Sequence, residues 1–336
     1  MLFKRAVVGL SASNNISVKK IVSFCVGLSV AVLLGASGCQ KSPVQTVARA
    51  DRIPSTTIKV SPGNDLFPPI LHSDDWEKPV PMSGPINTSG AEDSPFISPD
   101  GNTLYFFFTP DPNIAAEKQL SDDVTGIYVT NKIDGTWSEP TRVVLKRPGE
   151  VALDGCEFVS GDTMWFCSAR EGYVGINLFT SKNINNEWRS VKYVGDKLMN
   201  EYQVGEMHIT ADGSEMYFHS TRAGGIGQLD IWETKKINGE WQPPENVSIF
   251  NSVENDGWPF VSEDGKEFWF LRTHKGTPAI FRSINLEGVW QQPELILSQF
   301  AGEPTLDRAG NLYFVHHYYE NGKMIEADIY VAKKKH

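Results

Sequence analysis

Acidic and cationic side chains recur at matched places along this chain, at a spacing that could build a binding or catalytic funnel. In chain order, Glu92/Asp93, Asp154/Glu157, Glu206/His208, Asp256/Trp258 and Glu303 each stand at the head of a short apolar run. A second series follows those runs: Thr109/Asp111, Arg170, Arg222, Arg272/His274 and His316/His317/Tyr318. Carboxylates brought to one place repel one another unless a cation, a proton or a guanidinium compensates. Such a set could hydrogen-bond a glycan or peptide, or work as acid and base on one. Trp258 offers a flat apolar face of the kind sugars stack on, so a glycan or peptide fits better than a lipid. His208 with Glu206, or His316 with His317, could hold a divalent cation, but no spacing matches a recognised ligand motif, and no metal or other cofactor is expected. A residue type repeated at equivalent places more often clips adjacent turns, and Arg170 and Arg222 in "SAR" and "STR" are read as pairing with the next unit's carboxylate. Residues that break the repeat, namely Glu157, His208, Trp258, His316 and Tyr318, are the stronger site candidates.

The elements that must position these groups are repeated hairpins. "SPFISPDGNTLYFFFTP", "CEFVSGDTMWFCSAR", "EMHITADGSEMYFHSTR", "WPFVSEDGKEFWFLRTH" and "EPTLDRAGNLYFVHHYY" each carry a strand, a turn around Asp-Gly and an aromatic-rich strand, with the turn shortened in the second and Ala309 replacing Asp in the fifth. Asp-Gly suits such a turn because both residues tolerate positive φ. A third strand follows each copy, then a fourth marked by Trp137, Trp188, Trp241 and Trp290, at spacings of 51, 53 and 49 residues. That period fits a four-stranded propeller blade. The fifth copy lacks its Trp strand, and "DDWEKPVPM", with Trp76, stands spare before the first. The expected fold is therefore all-β: a five-bladed β-propeller of four-stranded antiparallel blades over residues 60–336, closed by the N-terminal strand around Trp76. The Asp-Gly turns lie at one end of its channel, and both series of candidate residues at the other.

"SPDGNTLYF", "TADGSEMYF" and "STRAGGIGQLDIW" resemble the repeats of the WD40-like β-propeller (PD40, TolB-like) family, and "INTSGAEDSPFISPDG" is similar to lipoproteins of that family. The resemblance covers residues 75–332 and implies a propeller used for binding and assembly; no catalytic motif of the family's enzymatic relatives is matched. Asp93, Asp154 and Glu206 open the first three blades in an order similar to the base, pKa-tuning and acid residues of five-bladed glycosidases, so a glycan-active enzyme is the alternative. The favoured reading is a binding or scaffold module for an envelope protein or glycan.

Lys4, Arg5, Lys19 and Lys20 precede the uncharged run "IVSFCVGLSVAVLLGASG", a secretion signal over residues 1–38 that ends at "ASGCQ". Small residues before Cys39 resemble a bacterial lipobox, and lipidation of that thiol would anchor the chain in a membrane; ordinary cleavage or an uncleaved anchor is the alternative. Gln40 favours the outer membrane, facing the periplasm, and residues 39–59 read as a flexible tether. Losing residues 1–38 removes four basic residues and no acidic one, taking the net charge from −10 to −14. Such a surface disfavours nucleic acid. Nothing suggests more than a monomeric domain. Counting outward from a Gly161-Asp162 turn places Cys156 opposite Cys167, where either a disulfide or two buried thiols are open outcomes. The glycines of "GGIGQLD" join two strands rather than opening a helix, so they are a loop and not a phosphate cradle.

Overall fold

The computed structural model describes residues 48–147, 149–194 and 204–335. The expected signal peptide, residues 1–38, and the lipidation site Cys39 lie outside the described residues. The chain is all-β, with only short helical turns at Arg49–Arg52 and Ala116–Gln119 among the described residues. None of these is long and apolar enough to cross a membrane.

Each repeat builds one antiparallel unit, beginning with an inner strand. The inner strands are Ala91–Ile97, Ala152–Ser160, Val204–Ile209, Asp256–Val261 and Ala301–Leu306. Each pairs with the aromatic-rich strand that follows it, and that strand pairs with a third. In repeats 1, 3 and 4 the turn glycine takes the positive φ alone (Gly101 72°, Gly213 72°, Gly265 68°). The aspartate before it works through its carboxylate instead. Asp100 accepts from Ser98 Oγ at 2.5 Å and from the Asn102 N–H at 3.0 Å, and Asp212 and Asp264 do the same in their repeats.

A second repeated device binds the outer edge. A buried hydroxyl on the third strand donates to a fourth-strand carbonyl eight residues on: Thr130 to Ser138, Ser181 to Arg189, Thr234 to Gln242 and Ser283 to Gln291, at 2.5–2.8 Å. Ala332 stands at the corresponding place of repeat 5, opposite Leu312.

Three of the fourth-strand Trp residues meet an aromatic of the preceding repeat. Trp188 meets Tyr105 (6.4 Å), Trp241 meets Trp165 (6.3 Å), and Trp290 donates to the Tyr217 hydroxyl. Trp76 stands edge-on to Trp269 at 5.4 Å, buried, with its ring N–H on the Gly310 carbonyl. Beside it Val80–Pro81 pairs with Lys323–Ala332, and Trp76 bridges to Lys334. Ile70–Leu71 adds to the outer edge of repeat 4, which the sequence did not announce. The inner strands touch in the order of repeats 1 to 5, and the fifth touches the first.

Two expectations are corrected here. Ser160 does face Thr163, but a bulge at Cys156–Glu157 shifts the register, so Cys167 faces Gly155. Cys156 and Cys167 are buried free thiols in hydrogen-bond contact, and burial pushes the Cys156 thiol well up. The expected tether is packed from its first described residues. Arg49 is 2% exposed and donates to Glu92 (3.0 Å) and to the Pro85 and Ile86 carbonyls. Lys59 bonds Glu326 and Asp328.

Candidate functional site

The candidate residues fall into two backbone registers. In every inner strand, regular pairing stops after the same residue: Asp93 opposite Phe107, Gly155 opposite Cys167, Gly205 opposite His219, Gly257 opposite Leu271, Gly302 opposite Val315. A bulge then inserts an unpaired residue. Its first member is left-handed in four repeats, at Ser94 (φ 49°), Cys156 (56°), Trp258 (53°) and Glu303 (58°); Glu206 holds the place in repeat 3. Four of the five residues before the bulge are glycine, and at Gly257 and Gly302 a neighbouring unit comes close. A Cβ on Gly302 would sit 2.6 Å from Leu271 Cδ1, and one on Gly257 2.8 Å from the His219 ring.

The register one step before that glycine carries Glu92, Asp154 and Asp256, and each is clipped by a guanidinium. Asp154 accepts from Ser168 Oγ (2.6 Å) and Arg170 (2.8 Å), Asp256 from Arg272 (2.5 Å), and Glu92 from Arg49. Arg170 and Arg272 therefore pair within their own repeat rather than with the next one. Each guanidinium also covers rings of its sheet, and Arg222 lies in the same way over Phe218 and Trp232, 5.1 and 5.2 Å from the centroids. Repeat 1 has no arginine at this place, and Arg49 from the N-terminal segment fills the slot over Phe106, Phe108 and Tyr128.

The bulge register turns the other carboxylates into the channel. Ser94, Glu157, Glu206, Trp258 and Glu303 line one central cavity of about 40 Å³. Asp93 Oδ1 is 3.1 Å from His317 Nε2, and Asp93, Glu303 and His317 bring one ligand atom each within 4.8 Å of one another. Burial, reinforced by Asp93, pushes the Glu303 carboxyl up to about 8. Burial also raises Glu157 well above the usual range, with Glu206, Glu303 and Asp93 adding to it. Neither oxygen of Glu157 has a hydrogen-bond partner from any other described residue. Ser94 Oγ donates to Glu206 at 3.4 Å.

Several candidates leave the site. Trp258 is 7% exposed and packed on the His219 ring at 4.5 Å, so it offers no open face for a sugar. His208 is wedged between Phe158 (4.5 Å) and Phe260 (4.6 Å), and burial lowers it to about 3, so it is a neutral wall residue. His316 turns outward to Asp65 (2.9 Å), and the Tyr318 hydroxyl bonds Asp328 and Tyr330. Strand alternation explains the split. His317 faces repeat 1 and His316 the opposite side, so one of the adjacent histidines joins the channel cluster. A wider cavity of about 890 Å³ opens at the Asp-Gly turn end, walled by Phe96, Phe158, His208 and Phe260.

No protein-family model and no curated protein matches the chain. Among solved structures, it is similar to TolB from Acinetobacter baumannii (14% identity, 74% of this chain and 55% of that one, TM-score 0.42). It is also similar to Bacteroides ovatus xyloglucan PUL GH43B (15%, 76% and 54%, 0.46). A third is the α-L-arabinofuranosidase from Podospora anserina in complex with cellotriose (12%, 76% and 95%, 0.44). These are β-propeller proteins. The chain spans about half the length of the first two. Likeness at this level carries no activity or ligand over to this chain.

Proposed function

We propose that this protein is an envelope-anchored, five-bladed β-propeller, closed by the strand around Trp76 and lipidated at Cys39, that binds a glycan at the loop end of its channel. The cyclic contact of the inner strands and the placement of Trp76 on Trp269 support the ring. One observation carries the ligand class. The Phe300 and Tyr319 rings are stacked at 4.5 Å and 26°, half-buried, with the more exposed Phe67 at 5.5 Å from Phe300. Tyr319 lies two residues beyond His317 and packs, like Val315, toward repeat 1. Gln299 and Phe300 are both left-handed (φ 68° and 55°), a costly backbone that aims the ring. Half-exposed aromatic rings are the surfaces on which sugar rings stack. Envelope glycans and soluble oligosaccharides are presented to detergent-solubilised full-length protein on an array. Binding that weakens about tenfold in Tyr319→Ala supports the reading, and binding indifferent to that change, or confined to a protein partner, sinks it.

Hydrolysis of that glycan is the second reading. It is favoured by Asp93, Glu157, Glu206 and Glu303 converging from four repeats, with Glu303 still protonated at neutral pH beside other carboxylates. Glu206 would serve as acid and Asp93 as base, while Asp154 stays on Arg170. Release of reducing sugar by the wild-type chain, abolished by Glu206→Gln, is the expected result. Turnover unchanged by that substitution rejects the assignment.

A further inference from the structure

We infer that the throat of the channel is a divalent-cation site built by Asp93, Glu303 and His317, with Glu157 as an additional carboxylate ligand. Asp93 and Glu303 come from the inner strands of repeats 1 and 5, and His317 from the second strand of repeat 5, so three separate strands converge on one point. Their ligand atoms lie within 4.8 Å of one another and all three residues are buried. The 3.1 Å separation of Asp93 Oδ1 and His317 Nε2 suits neighbouring ligands at right angles on a cation bound at about 2.1–2.2 Å.

Glu157 is the independent sign that something cationic belongs there. It is 6% exposed, lines the same cavity as Glu303 and Glu206, and has both carboxylate oxygens without a hydrogen bond from any other described residue. A buried carboxylate left in that state costs several kcal/mol unless it is protonated or meets a cation. The Nδ1 of His317 is buried without a described partner, so the ring can turn or change tautomer to present its other nitrogen. In the clipped register the fold satisfies each buried carboxylate with an arginine. Glu157 received none.

Two or three carboxylates with one imidazole suit a first-row cation, Zn²⁺ or Mn²⁺, better than Ca²⁺, which takes oxygen ligands. The bulge makes the site possible, since the left-handed φ of 58° at Glu303 turns its side chain out of the sheet register toward the axis. A cation on Asp93 also removes that group as a general base, so this inference and the hydrolytic reading exclude each other.

The test uses full-length protein in detergent, stripped with a chelator and titrated separately with Zn²⁺, Mn²⁺ and Ca²⁺. Bound metal is counted by mass spectrometry after gel filtration. One equivalent of Zn²⁺ or Mn²⁺ is expected, with a Tm that rises with free metal and with Ca²⁺ bound at least about tenfold more weakly. Glu303→Gln and His317→Gln should each loosen the metal by about tenfold or more, Glu157→Gln by less, and His72→Ala, at the outer edge beside Ser298, not at all. Circular dichroism identifies any variant that has lost its fold. For that case, the wild-type protein labelled with ¹⁵N-histidine gives a second readout, in which Zn²⁺ shifts one buried imidazole. Substoichiometric metal in the wild type, no shifted histidine signal, or wild-type affinity in folded Glu303→Gln and His317→Gln overturns the inference.

Discussion

Two rows of carboxylates circle the same channel two or three residues apart along each inner strand. Glu92, Asp154 and Asp256 stand before the bulge in regular strand pairing, each with a guanidinium at 2.5–3.0 Å. Glu157, Glu206 and Glu303 stand in the bulge, where the backbone turns them inward to share one cavity. Residue type does not separate the rows, and position along the chain barely does. Backbone register decides which carboxylate is scaffold and which belongs to the site. Arg170 is already engaged by Asp154 in the repeat of Glu157, and the second strand of repeat 5, Leu312–Glu320, has no arginine to offer Glu303.

The contrast breaks most sharply at Asp256, which is fully buried against the mostly buried Arg272. Removing one partner of a buried pair leaves the other charge uncompensated. Asp256→Ala should therefore cost about 3–5 kcal/mol in urea unfolding and leave metal binding by the folded fraction unchanged. A loss under about 1 kcal/mol would make this row dispensable. Arg49→Ala tests the same row from outside the repeats and should cost about 3 kcal/mol by stranding Glu92, together with faster trypsin cleavage after Arg52. Unaltered cleavage would show that Arg49 does not hold the segment down.

In the bulge row the expected effect is a pH slope. The Glu303 carboxyl sits at about 8 in the folded chain against an ordinary 4.5, so between those values the folded protein keeps a proton that the unfolded chain has released. Its contribution is complete below pH 4.5 and is lost as pH rises through 8. Metal-free protein should thus lose stability across that window by at most about 1.4 kcal/mol per pH unit from this group, and Glu303→Gln should flatten the decline. Parallel urea titrations of both proteins at pH 5, 6.5 and 8 check it, and identical slopes would show that Glu303 keeps no extra proton in the folded chain.

Much of the scaffold was legible before the structure. Hairpin periodicity, Asp-Gly turns and the Trp spacing follow from local chemistry that a sequence states directly, and the spare Trp76 packs edge-on against Trp269 of repeat 4. The site was legible only as a set of residue types. A bulge adds one unpaired residue, so counting from the Gly161–Asp162 turn put Cys156 opposite Cys167 when Gly155 stands there. Glu157 stood out because it breaks the repeat, and it does line the central cavity. Trp258 looked like a platform because aromatics near a channel often are, yet its left-handed backbone lays it on His219. Arg49 was missed because nothing local marks it; only the absence of an arginine in repeat 1, where repeats 2 to 4 have Arg170, Arg222 and Arg272, could have raised the question.

The smallest effect lies farthest from the channel, in the outer hydroxyl clips. Thr234 Oγ1 donates to the Gln242 carbonyl at 2.6 Å from a buried position, and repeats 1, 2 and 4 make the same bond. Thr234→Val keeps the shape and removes the donor, so it should cost about 0.5–1.5 kcal/mol, the net worth of one intramolecular hydrogen bond. Repeat 5 supplies the control. Its outer partner is Val80–Pro81 from the other end of the chain, and Ala332 occupies the clip position. Ala332→Ser adds a hydroxyl where no contiguous fourth strand offers that carbonyl, and it should gain nothing. A gain there comparable to the loss at Thr234 would mean that the non-contiguous strand seats like the others, and that the missing clip has no connection with how repeat 5 is completed.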